Sequence, residues 1–245
     1  MKSARTALDQ HFPLAYSFLL LAGLALAYTT PWDNYLVATK VWWYDPALVL
    51  GVTIGWVPLE EYLFFILQPV LGGLVLLLLL SRKTAGFEGE PLKPEVRKPA
   101  LPTSFAVWAI GMAVLILGIP SMTYLGLELA WALPVIMLQL AFGADILWKH
   151  RRQLLAVIGG LTIYLSLADG YAIQSGVWTI DPQQSTGMLL AGVLPVEELV
   201  FFLLTNIMVG FGFVLIWSPE SQTRLADAWQ KVKSWQGKSN LHSEQ

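Results

Sequence analysis

Pro58-Leu59-Glu60-Glu61-Tyr62-Leu63-Phe64-Phe65 sets two adjacent carboxyls inside an apolar run, and Pro195-Val196-Glu197-Glu198-Leu199-Val200-Phe201-Phe202 does so again near the other end of the chain. An ionisable side chain in the middle of a bilayer costs about 2.5–3.5 kcal/mol on insertion scales, so it marks a functional site by default. The competing structural role is helix capping, since acids often sit in the first turn of a helix. For a single copy the two readings are evenly matched. Four acids in a duplicated frame favour the functional one.

The rest of the chain fits a membrane setting. Its 245 residues are 56% hydrophobic and only 13% charged. Several apolar runs reach the length of about 20 residues that a helix needs to cross a bilayer. The fold class is therefore all-α: a polytopic membrane helical bundle of about six transmembrane helices, with broken helices at Pro58 and Pro195. A formal net charge of −2 gives no reason to expect a nucleic-acid partner. The absence of cysteine removes disulfides, thiolate chemistry and iron–sulfur ligation together. Eleven tryptophans suit two membrane interfaces, where indole rings concentrate.

Taken in order, Leu14 to Tyr28 forms the first span. With Lys2 and Arg5 before it and Ala25-Leu26-Ala27 at its end, it also has the pattern of a cleavable leader, but Asp9, His11 and Pro13 favour retention. Asn34 to Pro46 reads as a connection. From Ala47 to Leu80 a single helix would extend about 51 Å, too long for a hydrocarbon core of about 30 Å. Ala47 to Val57 is thus expected to lie at the interface or re-enter, with Pro58 at the first helical position of the second span. Ser104–Ile119, Leu125–Trp148 and Leu154–Ala168 supply three more spans, and about Thr186 to Trp217 the sixth, broken by Pro195. A short helix around Leu225 to Trp235 is expected in the polar tail, and Glu128 and Asp145 read as interfacial. Basic residues gather at the N-terminus, in Arg82 to Lys98, at Lys149 to Arg152 and in the tail, which puts both termini on the cytoplasmic side of the cell membrane. The organisation expected is a first unit at 1–81, a basic loop plus linker helix at 82–119, a second unit at 120–218 and a cytoplasmic tail at 219–245.

The two units are copies. Asp33 and Asp169, Trp42 and Trp178, and Asp45 and Asp181 each stand 136 positions apart, whereas Glu60 and Glu197 stand 137 apart, so one residue is inserted before the second motif. Self-similarity of this kind indicates a repeated structural unit. Four spans separate the acid helices, so both run in the same direction and the repeat is parallel, with a pseudo-twofold axis along the membrane normal. At 100° per residue Glu61, Phe65 and Gln68 share one stripe, and Glu198, Phe202 and Thr205 share its counterpart. Glu61 and Glu198 therefore face inward, with Glu60 and Glu197 turned toward neighbouring helices.

No lysine or arginine falls inside the six spans, which leaves the glutamates without a cationic partner. Burial favours the neutral acid, while a helix N-terminus favours the anion. A neutral carboxylic acid beside one that ionises is a general acid and base pair. The aromatic rings of Phe64, Phe65, Phe201, Phe202, Trp42 and Trp178 are suited to a carbocation, although core packing is the commoner use of such phenylalanines. All three histidines lie outside the spans, so a carboxylate–histidine metal site is not expected, although four carboxylates alone can hold a cation. With no dinucleotide fingerprint and no intramembrane lysine for a retinal, no cofactor is expected either.

The duplicated Pro-x-Glu-Glu-x-x-Phe-Phe, the upstream Val41-Trp42 and Val177-Trp178, the Asp-Pro pairs at 45 and 181 and Thr205-Asn206 resemble the integral-membrane lycopene cyclases of carotenoid biosynthesis. The resemblance covers about Leu14 to Leu80 and Tyr124 to Trp217. It implies a lycopene beta-cyclase, an isomerase closing linear carotenoid ends into β-rings, with lycopene taken from the bilayer. It makes Glu60, Glu61, Glu197 and Glu198 catalytic candidates. Phe64, Phe65, Phe201, Phe202, Trp42, Trp178, Gln68, Thr205 and Asn206 become substrate-binding candidates, supported by Asp33 and Asp169. Fused members of that family have seven spans, whereas here the first unit lacks a counterpart of the Leu125–Trp148 helix. Cyclisation of a C50 or modified carotenoid is the neighbouring reading, and a proton- or cation-coupled transporter is the alternative from another class. Few polar residues along the spans disfavour the transporter. Oligomeric state is not legible.

Overall fold

The structure, a computed structural model, describes residues 14–81 and 91–230. Its helices are α1 (Leu14–Ala38), α2 (Leu59–Ser81), α3 (Arg97–Ile116), α4 (Thr123–Lys149), α5 (Arg151–Gln174) and α6 (Val196–Trp217), followed by a helix at 219–230, α7. Six of these are long and apolar enough to cross a bilayer, as expected of an integral membrane protein. The leader-like residues before 14, most of the basic loop and the end of the tail lie outside the described residues, as does the rest of the helix expected at Leu225 to Trp235.

Three boundaries differ from the sequence reading. Helix α1 runs past Tyr28 to Ala38, through Pro31. Two of its polar side chains bond back to the helix: Thr30 Oγ1 donates to Leu26 O at 2.6 Å and Asn34 Nδ2 to Thr30 O at 2.9 Å. Asn34 to Ala38, expected to begin a connection, are thus part of the helix, and so is Asp33. Helix α3 begins at Arg97, seven residues earlier than expected, because its opening turns carry Pro99, where a missing N–H costs little. The apolar stretches ahead of the acid motifs are neither re-entrant helices nor broken spans. Each folds into a tiny antiparallel hairpin, β2 (Thr53–Ile54) with β3 (Val57–Pro58), and β5 (Leu189–Leu190) with β6 (Leu194–Pro195). Pro195 consequently serves as N-cap of α6, and Pro58 holds the matching place before α2 instead of being its first helical residue. The inserted residue is found in the hairpin turn, which is Gly55-Trp56 in one copy and Ala191-Gly192-Val193 in the other. Gly55 and Gly192 take φ of +66° and +74°, conformations that glycine adopts without a Cβ penalty.

The copies meet around a local twofold axis. Strand β1 (Trp42–Tyr44) pairs antiparallel with β4 (Trp178–Ile180), and Trp43 lies opposite Thr179, its own equivalent 136 positions on. Asp45 N donates to Val177 O at 2.8 Å, and Asp181 N returns the bond to Val41 O at 2.9 Å. Deeper in the bundle α2 crosses α6, where Gln68 Nε2 donates to Thr205 Oγ1 at 2.8 Å, again its repeat equivalent, and to Asn206 Oδ1 at 3.1 Å. Asn206 Nδ2 in turn donates to Thr162 Oγ1 at 3.2 Å. Such pairs close the polar groups of a buried crossing within the protein, where lipid offers no partner. Below it, Leu76, Leu80, Leu154, Phe213 and Val214 form the main apolar cluster.

Symmetry ends at α4. This helix packs on α3 and α6, and among the described residues nothing covers α2 in the same way. Leu67 on α2 is 61% exposed, whereas Leu204, its counterpart on α6, is 7% exposed.

Candidate active site

Each acid motif is placed by its hairpin. Leu59 N donates to Val52 O and Val196 N to Met188 O, both at 2.9 Å, which clips the first turn of each helix to the preceding strand. Glu60 Oε1 then accepts from Leu50 N at 2.5 Å, and Glu197 Oε1 from Thr186 N at 2.6 Å. The first glutamate of each pair therefore fastens its own loop rather than a neighbouring helix. Its second oxygen is buried without a hydrogen-bond partner in both copies.

The second glutamate of each pair, one residue on, turns about 100° around the helix axis and faces a cavity of about 290 Å³ between the two units. Glu61 and Glu198 line it together with Asp33, Glu60, Asp169 and Tyr124. The walls are aromatic: Trp42 and Trp178 from the central strands, and Phe64, Phe65, Phe201 and Phe202 from α2 and α6. No lysine, arginine or histidine among the described residues lines it. Of the residues singled out in the sequence, Glu197 is fully buried but stands off this surface. Gln68, Thr205 and Asn206 lie in the helix crossing, outside the lining.

Asp33 and Asp169 hold the indoles. Trp42 Nε1 donates to Asp33 Oδ1 at 3.0 Å, and Trp178 Nε1 to Asp169 Oδ1 at 2.7 Å. Both bonds reach nine residues along the chain, from a strand back to the end of the preceding helix, so one device is used twice. Phe64 and Phe202 meet edge to face, with centroids 6.0 Å apart and planes at 82°, an arrangement that suits the ring quadrupole.

Three further residues carry no repeat signature. Tyr124, at the start of α4, donates its hydroxyl to Glu198 Oε1 at 2.8 Å, while the Glu61 carboxyl accepts no hydrogen bond among the described residues. One turn further along α4, Glu128 is fully buried with both oxygens unpartnered. It is not at the protein surface as an interfacial acid would be, because α6 covers that face of α4. The i to i+4 spacing of Tyr124 and Glu128 was the available sequence signal. Trp32 lines the cavity and stacks on Trp131 at 4.4 Å and on Phe201 at 5.8 Å.

The arrangement brings five carboxyls, those of Glu60 and of the repeat-related pairs Glu61 and Glu198 and Asp33 and Asp169, to the surface of one otherwise apolar, aromatic chamber. Such a chamber can deliver a proton to an uncharged alkene, shelter the resulting cation and remove a proton again.

Comparisons with known proteins identify the family. A protein-family model described as Lycopene cyclase matches residues 6–79 and 121–216. A lycopene beta-cyclase of Halobacterium salinarum (strain R1) is 43% identical over 197 residues, which cover 80% of this chain and 80% of that protein. Bifunctional lycopene cyclase/phytoene synthases of Aspergillus oryzae and Podospora anserina are each 33% identical, over 79% and 84% of this chain and 33% and 35% of their own longer chains. No solved structure matches the chain significantly. With both acid motifs inside the matched residues and the halobacterial relative aligned across four-fifths of each protein, the chain belongs to the lycopene cyclase family.

Proposed function

We propose that the chain is a lycopene beta-cyclase that closes the linear ends of lycopene to β-rings in a redox-neutral isomerisation. The observation that carries this reading is the pair Glu61 and Glu198 on one aromatic cavity. The acid of the pair adds its proton to C2 of the terminal isoprene, leaving a tertiary cation at C1. The C5=C6 double bond attacks C1, forming the C1–C6 bond and moving the charge to C5. Loss of the C6 proton to the carboxylate then restores the C5=C6 double bond. One proton enters, one leaves, and no external redox partner is needed.

The remaining residues serve that sequence. Phe64, Phe65, Phe201, Phe202, Trp42 and Trp178 present π-faces to the migrating cation; cation–π attraction amounts to about 2 kcal/mol or more where water is excluded. Asp33 and Asp169 fix the two indoles, and Tyr124 orients Glu198. Glu60 and Glu197 keep the loops in place over the acid turns, and Gln68, Thr205 and Asn206 hold α2 against α6. The domain reading is two units, 1–81 and 120–218, joined by a linker and followed by a tail from 219, with both termini on the cytoplasmic side of the cell membrane.

Expression in cells that accumulate lycopene, followed by pigment chromatography, tests this function. Monocyclic and bicyclic products are expected. Unchanged lycopene, with the full-length protein present in the membrane fraction, would overturn it.

A further inference from the structure

The two sides of the cavity differ at the positions the repeat relates. Helix α1 contributes Trp32, and Leu36 follows one turn later; at the matching positions α5 presents Ala168 and Ala172. On α1 the wall is shut. Trp32 lies in a stack with Trp131 and Phe201, and Leu36 is fully buried. On α5 the wall is thin: Ala168 lines the cavity, is itself exposed, and by helical spacing stands at the edge of the outward face that carries Tyr164, Leu167 and Tyr171. Tyr164 and Tyr171, about a turn to either side, are 60% and 74% exposed on that face. An indole is therefore replaced by a methyl group at the lining position that is the most exposed among the described residues.

The size of the cavity gives this opening a use. Pockets that enclose a drug-sized ligand run to roughly 300–1,000 Å³, and this one is about 290 Å³. A cavity of that size has room for the ring-forming end of a carotenoid and not for the long polyene behind it. The polyene must pass through an apolar gap in the wall, and the thin place is at Ala168.

We propose that the polyene of the substrate lies through a lateral opening on α5 at Ala168, and that Trp32 blocks the matching route on α1. This rests on the reading of lycopene as substrate. The enzyme then receives each end from one side only, and the residue at 168 limits what passes.

The natural absence of cysteine makes a direct test available. In lycopene-accumulating cells, Ala168→Trp should lower ring formation at least tenfold at equal membrane abundance. Separately, Ala168→Cys in membranes should be modified by a bulky apolar maleimide, losing at least tenfold of its own unmodified activity, and lycopene should slow the modification. Leu167→Cys, facing outward one residue away, should be modified without loss and without protection. The opening is refuted if Ala168→Trp cyclises as well as wild type. It is equally refuted if Ala168→Cys resists a reagent that modifies Leu167→Cys, or is modified with neither loss nor protection. A wild-type chain that leaves lycopene unchanged would instead overturn the substrate assignment.

Discussion

The first unit and the second carry the same acid motif on the same hairpin, yet their glutamates have different neighbours. Glu198 receives the Tyr124 hydroxyl at 2.8 Å; Glu61 receives nothing comparable from the described residues. The source of the difference is α4, a helix with no counterpart in the first unit among the described residues. It covers α6, supplies Tyr124 and Glu128, and completes the Trp32 stack through Trp131. Duplication thus provides two acids at matched positions, and one added helix makes them unequal. In the proposed cyclisation one carboxyl gives a proton and another takes one back, and unequal neighbours suit that division.

Removing either acid should have the largest effect. Glu61→Gln and Glu198→Gln keep shape and lose the proton, so each should lower ring formation by about 10²–10⁴-fold, the usual range for general acid–base groups. Product yield in lycopene-accumulating cells, normalised to membrane-inserted protein, measures it. If only one of the two variants loses activity, the reading that both acids serve one reaction fails.

Tyr124→Phe probes the asymmetry itself. It deletes a buried hydrogen bond to a carboxyl and leaves that acceptor unsatisfied, about 1–3 kcal/mol, or roughly ten- to a hundredfold in rate if the bond acts at the reacting stage. Its effect should vanish in a Glu198→Gln background and persist in Glu61→Gln. Equal behaviour in both backgrounds would mean that Tyr124 only supports the fold.

Much of this was legible beforehand, and the gaps have physical causes. Six helices and the inward turn of Glu61 and Glu198 follow from hydropathy and from 100° per residue. The β-hairpins do not: strands of two or three residues are set by pairing partners, and Ala47 to Val57 has the composition of a membrane segment. The offset comparison that revealed the repeat also contained Trp32 against Ala168, but only the closed wall on one side gives that mismatch meaning. Burial of Glu128 depends on where α6 lies, which no local pattern encodes.

Packing offers a smaller contrast between the units. Gly73 and Gly210 are repeat equivalents, 137 positions apart. A Cβ on Gly73 would meet Phe18 at 2.4 Å and Phe213 at 2.5 Å, whereas on Gly210 it would meet the flexible end of Leu154 at 3.3 Å. Gly73→Ala should therefore destabilise by about 1–3 kcal/mol through overpacking. For Gly210→Ala the better helix propensity of alanine, about 0.5–1 kcal/mol, offsets the tight contact. Unfolding temperatures in detergent should fall for the first and stay near wild type for the second.

The smallest effect is expected at the far end of α4, where Lys149 pairs with Glu220 and Arg224 donates to Asp145 at 2.7 Å. These ties join α4 to α7 and have no counterpart in the first unit among the described residues. Burial pushes the Glu220 carboxyl up, but hydrogen bonds from Lys149 and Ser218 outweigh it and hold the group below its ordinary value. A carboxyl lowered in the folded state adds stability that is present above its unfolded pKa, about 4.3 for glutamate, and is lost as pH falls through the folded value. Part of the loss in unfolding temperature between pH 7 and pH 3 should therefore disappear in Glu220→Gln. Because the pair is partly exposed, its contribution stays below about 1 kcal/mol. The same titration in a Leu67→Ala variant of the uncovered α2 face should match wild type, since that face carries no ionisable group to titrate. A pH slope changed equally by both substitutions would show that the clamp on α4 does not account for it.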